Sequence, residues 1–174
     1  MAPIKKKICL LGSFSVGKTS LVERFVYDRF DEKYLTTIGV NISQKLLEPI
    51  TPPNSTKLVQ HHFLIWDIAS FEKFNAVTLN YFRGAAGALA VADLTRPETL
   101  TDMRNLCDQF LSVNSEAKLV FVGNKIDIFQ GHETILNELG ETARSYATHY
   151  LTTSAKTAEK VENAFMDLSK SILS

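Results

Sequence analysis

The sequence predicts an α/β protein with a mostly parallel six-stranded sheet, helices on both faces of the sheet and one antiparallel hairpin at its edge. Three observations predict this fold. Short apolar runs alternate with segments of helical periodicity, two strand-like runs (39–48 and 58–66) follow one another without a helix between them, and polar or glycine-containing segments follow several runs. This alternation is typical of a doubly wound sheet, which binds ligands at the carboxyl ends of its strands. The 174 residues, 45% of them hydrophobic, are expected to form a single domain over 1–174.

The first half of the chain carries the hairpin. Strand 4–11 ends in the apolar run Ile8–Leu11, and the amphipathic stretch after it predicts helix 18–27. The two runs that lack an intervening helix are expected to pair antiparallel. Their connection, 48–55, contains three prolines and an Asn-Ser step. These residues stop strand pairing and indicate a mobile surface loop.

The second half repeats the alternation of strand and helix. Its predicted elements are strands 87–93, 118–123 and 149–152 and helices 72–82, 97–112, 133–147 and 157–172. Pro97 stands in the first turn of its helix, where the missing N–H costs little. The last helix repeats apolar residues at helical spacing and is expected to pack on the sheet through Val161, Phe165, Leu168 and Ile172.

A phosphate-binding motif follows the first strand. Gly12–Thr19 matches G-x-x-x-x-G-K-[ST] in the strand-loop-helix context that the motif requires. Gly12 and Gly17 allow a tight turn whose N–H groups hold a polyphosphate at the positive end of a helix dipole. Lys18 is expected to reach the terminal phosphates, and Thr19 to offer its hydroxyl to the Mg²⁺ that accompanies a nucleoside triphosphate. For the loop taken alone, a chance glycine-rich turn is the alternative.

A second motif, Asn124–Asp127, follows the apolar run Leu119–Gly123. The Asp127 carboxylate matches two adjacent N–H donors on a guanine edge, a pair that adenine lacks. Asn124 and Lys125 are expected to tie this loop down, with the methylenes of Lys125 along the base. The alternative is an ordinary strand-to-helix turn with a capping aspartate.

A third segment, Leu151–Lys156, again joins a strand to a helix, and Ala155 can donate its N–H to a base carbonyl. With the phosphate loop, N-K-x-D and S-A-K in this order, the chain resembles a small GTPase of the Ras superfamily, closest to the Rab branch. The resemblance covers nearly the whole chain. It implies the P-loop NTPase (small G-protein) fold, binding of GTP or GDP with Mg²⁺, and hydrolysis of GTP to GDP and phosphate.

The resemblance extends to the switch segments. Thr36–Val40 is similar to switch I of Rab proteins, Ile65–Asp67 to the start of switch II, and Tyr81–Ala85 to the stretch that follows. By resemblance, Thr37 closes on Mg²⁺ and the γ-phosphate, and Asp67 holds Mg²⁺ through water. Together with Thr19 they form the expected metal site.

The resemblance also assigns the nucleotide contacts. Phe30 stands where the family stacks an aromatic on guanine, and Tyr34 where one covers the phosphates. Lys18 and Thr37 are the expected catalytic residues. The full set of expected nucleotide-binding residues is Ser15, Val16, Gly17, Lys18, Thr19, Ser20, Phe30, Tyr34, Thr37, Ser70, Asn124, Lys125, Asp127, Ser154, Ala155 and Lys156.

Three apolar positions match the effector-reading triad of Rab proteins: Ile42, Trp66 and Tyr81, with Ile42 in place of the usual aromatic residue. Each is equally compatible with a core position, because large aromatics are commonly buried. The resemblance implies protein effectors as partners, together with an exchange factor or an activating protein.

The chain departs from the family at the hydrolytic machinery. The family pattern D-T-A-G-Q-E reads here Asp67–Glu72, so that Phe71 replaces the glutamine that positions the attacking water. A phenyl ring has no group that orients water. Ser70 replaces the switch glycine and loses easy access to positive φ. Phe14 places a ring in the phosphate loop, where it is expected to hinder an arginine finger. Slow hydrolysis is therefore predicted.

Three functions remain open at this point. The first is a nucleotide-dependent switch with weak GTPase activity, in which the segments around Thr37 and Asp67 change order with the γ-phosphate. The second is a pseudo-GTPase scaffold locked in one nucleotide state or holding none. The third, an ATP-using enzyme, is disfavoured by Asp127 and by the loop that contains Ala155.

Composition restricts the partners. Nineteen basic and nineteen acidic residues give a formal charge of +0 and a pI of about 6.9, which argues against a broad surface for nucleic acid. Two cysteines provide no disulfide framework, so a reducing cytoplasm is expected. The protein is also expected to be a monomer. The segment 170–174 lacks a cysteine. Either the sequence stops at the globular domain or the protein carries no lipid, so membrane contact is expected only indirectly or through a further tail, at the cytosolic face.

Overall fold

The computed structural model describes residues 2–33, 37–70 and 76–174. The strands within these residues are β1 (Ile4–Leu11), β2 (Val40–Leu46), β3 (His61–Ile68), β4 (Gly87–Asp93), β5 (Lys118–Asn124) and β6 (Tyr150–Thr153). The helices are α1 (Lys18–Tyr27), α2 (Ala76–Phe82), α3 (Glu98–Val113), α4 (Glu133–Ser145) and α5 (Val161–Ile172), with one 3₁₀ turn at Ile126–Ile128.

The strands form one six-stranded sheet in the order β2-β3-β1-β4-β5-β6. β2 and β3 pair antiparallel, and every other neighbouring pair is parallel. This topology confirms the predicted α/β fold with its edge hairpin. Since β1 lies between β3 and β4, the loops that follow these strands open at the same edge of the sheet.

The core lies on both faces of the sheet. Every residue of β4 is buried, as expected for a central parallel strand covered by helices on both sides. On one face, α1 and α5 meet through Phe25 and Phe165, whose rings stack with centroids 3.9 Å apart. On the other face, Phe82 and Phe110 pack edge to face at 5.6 Å and join α2 to α3. This packing fixes the strand ends that carry the polar loops.

The predicted boundaries differ from the structure at the hairpin. β3 covers His61–Ile68 instead of 58–66, and the prediction that the prolines end all pairing was wrong. Ile50 and Val59 form an antiparallel bridge with two main-chain hydrogen bonds of 2.8 Å. The prolines lie between these two residues or just before them, so their missing N–H groups do not interrupt the bridge.

The start of the last helix also differs from the prediction. α5 begins at Val161 instead of 157, because residues 154–160 form a turn in which the Thr157 N–H donates to Ser154 Oγ (3.0 Å). Lys160, with φ of 52°, ends this turn. Within the described residues α2 begins at Ala76; the predicted residues 72–75 lie outside them. No helix within 2–33, 37–70 and 76–174 combines the length and the apolar composition needed to cross a bilayer.

Candidate functional site

A cleft of about 470 Å³ opens where β1, β3 and β5 end. The predicted site residues that line it are Ser15, Gly17, Lys18, Thr19, Ser20, Phe30, Thr37, Ser70, Asn124, Lys125, Asp127, Ala155 and Lys156. Val16 and Ser154 are fully buried and do not line the cleft. Tyr34 and Phe71 lie outside the described residues. Segments far apart in the sequence therefore converge on one concave surface, as is typical of a ligand site.

The phosphate loop lies directly on the ends of β4 and β5. Gly17 has φ of 101°, and a Cβ on it would collide with the side-chain nitrogen of Asn124. A Cβ on Gly12 would lie 2.5 Å from the carbonyl oxygen of Val91. Both positions need glycine, because only a residue without a Cβ permits this close approach.

Lys18 is buried at the floor of the loop, with 7% of its surface exposed. Its Nζ donates to Gly12 O (2.5 Å), to Ser13 O (3.3 Å) and to Ser70 Oγ (2.5 Å). Burial lowers the pKa of Lys18 to about 8, and the Asp67 carboxylate opposes this shift. The Lys18 amine is thus held by oxygen atoms on the floor of the cleft.

Three oxygen-bearing side chains meet beside Lys18. Thr19 Oγ1 donates to Asp67 Oδ2 (2.5 Å), and Thr37 Oγ1 lies 2.5 Å from Thr19 Oγ1 and 3.5 Å from the same carboxylate oxygen. Asp67 is 2% exposed, and burial raises its pKa, although the hydrogen bond from Thr19 and the charge of Lys18 act against the shift. Two hydroxyl groups and one carboxylate therefore lie close enough together to contact a single ligand.

This oxygen cluster fits Mg²⁺. Asp67 Oδ1 is buried and has no hydrogen-bond partner among the described residues, so one carboxylate oxygen is left to accept from a water in the ion's shell. Mg²⁺ prefers hard oxygen ligands and is bound through few protein groups together with substrate phosphates. In the described part of the chain, no group of three or more His, Cys, Asp or Glu side chains offers a separate metal site.

The loop after β5 connects the phosphate loop to the base end of the cleft. Asn124 Nδ2 donates to Val16 O (3.0 Å), and Lys125 Nζ donates to Ser15 O (2.8 Å). Lys125, with φ of 69°, leads into the 3₁₀ turn that presents Asp127 at the mouth of the cleft. Asn124 and Lys125 therefore hold the loop after β5 and the phosphate loop together.

Arg24 supports a wall of the cleft and is not indicated by any of the sequence motifs. Its Nε donates to Ala155 O (2.9 Å) and its Nη2 to Lys156 O (2.8 Å), so α1 holds the loop after β6 in place. Lys156 also forms an ion pair of 3.1 Å with Glu32 on the opposite wall. The contact from Arg24 spans 131 residues of sequence, so no local pattern announces it.

Arg96 supports the phosphate loop and is likewise not indicated by any sequence motif. Its Nη2 donates to Phe14 O (2.7 Å) and its Nε lies 3.2 Å from the buried carboxylate of Asp93. Asp93 also pairs with Lys125 Nζ at 2.7 Å. Burial would raise the pKa of Asp93, but hydrogen bonds from Lys125 and Thr95 outweigh it and hold the pKa below its ordinary value. Asp93 thus supports the site from beneath, through its contacts with Lys125 and Arg96.

A separate patch brings the three effector candidates together. Ile42 and Trp66 are cross-strand partners, and the Trp66 and Tyr81 rings lie with centroids 6.4 Å apart. Ile42 is 53% exposed, and Trp66 and Tyr81 are half-buried. Lys7 Nζ lies 3.6 Å from the centroid of the Trp66 ring. Trp66 therefore agrees with both interpretations of its position, as a core residue and as a surface residue, since it packs against the core and also reaches the surface.

A doubly wound sheet with a phosphate loop, an adjacent oxygen cluster and an aspartate at the base end defines a nucleotide-binding P-loop protein. The Ras family model matches residues 7–174. The chain belongs to the Ras family, which makes it a GTP-binding small GTPase.

The similar proteins are of the Rab type, as the motifs predict. The chain is 35% identical over 173 residues to Ras-related protein Rab-22A of Mus musculus, covering 99% of the chain and 86% of that protein. It is 35% identical to Ras-related protein Rab-31 of Homo sapiens, covering 99% and 85%. It is 34% identical over 168 residues to Ras-related protein Rab-4A of Danio rerio, covering 96% and 76%.

Proposed function

We propose that the chain is a molecular switch that binds GTP or GDP with Mg²⁺, hydrolyses GTP slowly and contacts effectors through its two switch segments. One observation carries the proposal: a single cleft joins the buried amine of Lys18, the Thr19 and Thr37 hydroxyls that lie against Asp67, and the exposed carboxylate of Asp127. A nucleoside triphosphate needs a cation for its phosphates, oxygen ligands for its metal ion and a hydrogen-bonding group for its base, and the cleft offers them in this order.

The residues of the cleft have distinct roles in this proposal. Lys18 binds the β- and γ-phosphates, and Thr19 and Thr37 provide hydroxyl ligands for the ion, whose charge neutralises the phosphate oxygens. Asp67 orients a water of the ion's shell. Because Thr37 belongs to a different segment from Thr19, its contact with the ion couples the conformation of that segment to the nucleotide.

Slow hydrolysis is proposed on two substitutions. Phe71 stands where a water-orienting amide is needed, and its ring has neither donor nor acceptor. Phe14 is 54% exposed and lines the cleft, where it takes up the space that an activating arginine would enter. Each substitution removes a separate contribution, and an arginine finger alone is worth about 10³–10⁵ in rate.

Single-turnover hydrolysis of GTP by the purified protein tests this proposal. We expect Phe71→Gln to increase the rate, and Phe14→Gly to have an effect only when an activating protein is present. Phe129→Gln serves as a matched control, since Phe129 does not line the cleft. A wild-type rate equal to that of an ordinary small GTPase without a partner would contradict slow hydrolysis.

Base selection is tested separately. Asp127→Ala is expected to abolish the preference for guanine over adenine, because the exposed carboxylate is the group that pairs with adjacent N–H donors. The nucleotide that copurifies with the protein distinguishes the alternatives. Guanine nucleotide in a single fixed state that does not exchange favours a pseudo-GTPase scaffold, whereas exchange favours a switch.

The remaining features of the proposed function concern partners and location. We infer that the patch formed by Ile42, Trp66 and Tyr81 contacts protein effectors and that an exchange factor or activating protein acts at the cleft. We also infer that residues 1–174 act as a single monomeric domain in the cytoplasm, in vesicle traffic at the cytosolic face of membranes. Alanine substitution of Trp66 with unchanged GDP affinity and lost effector binding would support the patch.

A further inference from the structure

The hydroxyl of Ser70 lies inside the phosphate end of the cleft. Ser70 Oγ accepts from Lys18 Nζ at 2.5 Å and donates to Gly12 O at 2.9 Å. Ser70 follows β3 two residues after Ile68, so it lies at the start of the segment that is expected to respond to a γ-phosphate. The hydroxyl thus connects this segment to the phosphate loop through two hydrogen bonds.

These contacts use every donor of Lys18. A protonated amine has three N–H groups, and the structure gives Lys18 three oxygen partners: Gly12 O, Ser13 O and Ser70 Oγ. Two of the partners are main-chain atoms of the phosphate loop itself. Ser70 is the partner that comes from another segment, 52 positions away in the sequence.

We propose that the Ser70 hydroxyl is a specificity-determining group that disfavours nucleoside triphosphate relative to nucleoside diphosphate. This inference rests on the proposed guanine-nucleotide function. A phosphate oxygen that binds Lys18 must replace one of its three partners. The contact to Ser13 O is the longest, at 3.3 Å, and is the one given up to the first phosphate oxygen.

The γ-phosphate makes the further demand. Since Gly12 O is a main-chain atom of the phosphate loop, the partner that a second phosphate oxygen displaces from Lys18 is the Ser70 side chain. Movement of this hydroxyl away from Lys18 also breaks its hydrogen bond to Gly12 O, which accepts from both side chains. A diphosphate leaves both bonds in place. The difference between the two nucleotides is therefore the loss of a hydroxyl that bridges two segments, and glycine or alanine at position 70 has no such hydroxyl to lose.

The test compares Ser70→Ala, Ser70→Thr and wild type. Alanine removes only the hydroxyl, and threonine retains it. The affinities for GDP and for a non-hydrolysable GTP analogue are measured by displacement of a fluorescent guanine nucleotide in the presence of Mg²⁺. Ser112→Ala is the matched control, because Ser112 Oγ donates to a main-chain carbonyl within α3 and does not line the cleft.

We expect Ser70→Ala to shift the ratio of the two affinities toward the triphosphate by about fivefold, which corresponds to one hydrogen bond of ordinary net strength. Ser70→Thr and Ser112→Ala should keep the wild-type ratio. A ratio that stays constant in Ser70→Ala overturns the inference, as does a shift toward GDP, which would show that the hydroxyl binds the γ-phosphate. If wild type binds neither nucleotide, the proposed function fails and this inference fails with it.

Discussion

The amide of Asn124 offers a direct test of how the cleft is held together. Its Nδ2 donates to Val16 O in the phosphate loop at 3.0 Å, and its Oδ1 accepts from Thr153 Oγ1 at the end of β6 at 3.0 Å. One side chain therefore connects three strand ends that carry separate parts of the nucleotide site. Asn124→Ala removes both hydrogen bonds and introduces no new group.

The magnitude follows from burial. Asn124 is 2% exposed, and Val16 and Thr153 are fully buried, so water does not replace the lost partner. A buried polar group left unpaired costs about 1–3 kcal/mol, and two such groups give a loss of about 2–6 kcal/mol. A loss of about 3 kcal/mol corresponds to a decrease in Tm of about 6–12 °C for a chain of this size.

Thermal unfolding and GDP dissociation are measured together, with Asn114→Ala as the control. Asn114 Nδ2 also makes two hydrogen bonds, to Phe82 O and Phe110 O, but Asn114 does not line the cleft. Both variants should lower the Tm, and only Asn124→Ala should accelerate GDP dissociation, by about tenfold if about 1.4 kcal/mol of the loss falls on the bound loops. Equal Tm losses with unchanged GDP dissociation in both variants would refute the reasoning.

Three further outcomes are expected. Arg24→Lys keeps the charge but cannot donate to two carbonyls in fork geometry, so GDP dissociation measured by stopped flow should accelerate several-fold. Arg29→Lys, at an exposed position just after α1, should not change it. Burial lowers the pKa of His61 below 6.5, so the folded protein favours the neutral imidazole. The contribution of His61 to the free energy of unfolding is therefore fully present above pH 6.5 and decreases below it. Tm at about pH 5.5 and 7.5 measures this dependence, and His61→Leu should flatten it. Lys7→Gln should change the fluorescence of Trp66, the single tryptophan, and lower the free energy of unfolding by about 0.5–1 kcal/mol in chemical denaturation. An unchanged spectrum would contradict the contact between the Lys7 amine and the Trp66 ring.

The parts of the site that the sequence predicts are those encoded by short motifs. Gly17 and Lys18 could be placed because a turn between a strand and a helix fixes the local geometry of a phosphate loop. Asp127 could be placed because it follows a recognisable apolar strand. In each case the informative neighbours lie within a few residues, and the structure brings them to the same edge of the sheet.

The parts that could not be predicted depend on packing between distant elements. Arg24 and Arg96 look like ordinary helix or loop cations in the sequence, and only the tertiary fold reveals that they hold Ala155 and Phe14 in place. The pairing of Ile50 with the far side of a proline-containing connection is also a tertiary result. Local turn chemistry predicts where a chain can bend, but it does not predict which strands continue to pair beyond the bend.

In the proposed nucleotide cycle, the two departures from the family at Ser70 and Phe71 act on different steps. By the proposals made above, Ser70 reduces the relative affinity for GTP, and Phe71 lowers the rate at which bound GTP is hydrolysed. The first effect depends on the ratio of nucleotide affinities, so it governs the loaded fraction only when exchange is fast compared with hydrolysis. Because the second effect makes hydrolysis slow, exchange and affinity would set the nucleotide state of this chain. Ser70→Ala should then raise the GTP-bound fraction at equilibrium, whereas Phe71→Gln should lower it only when turnover outpaces exchange.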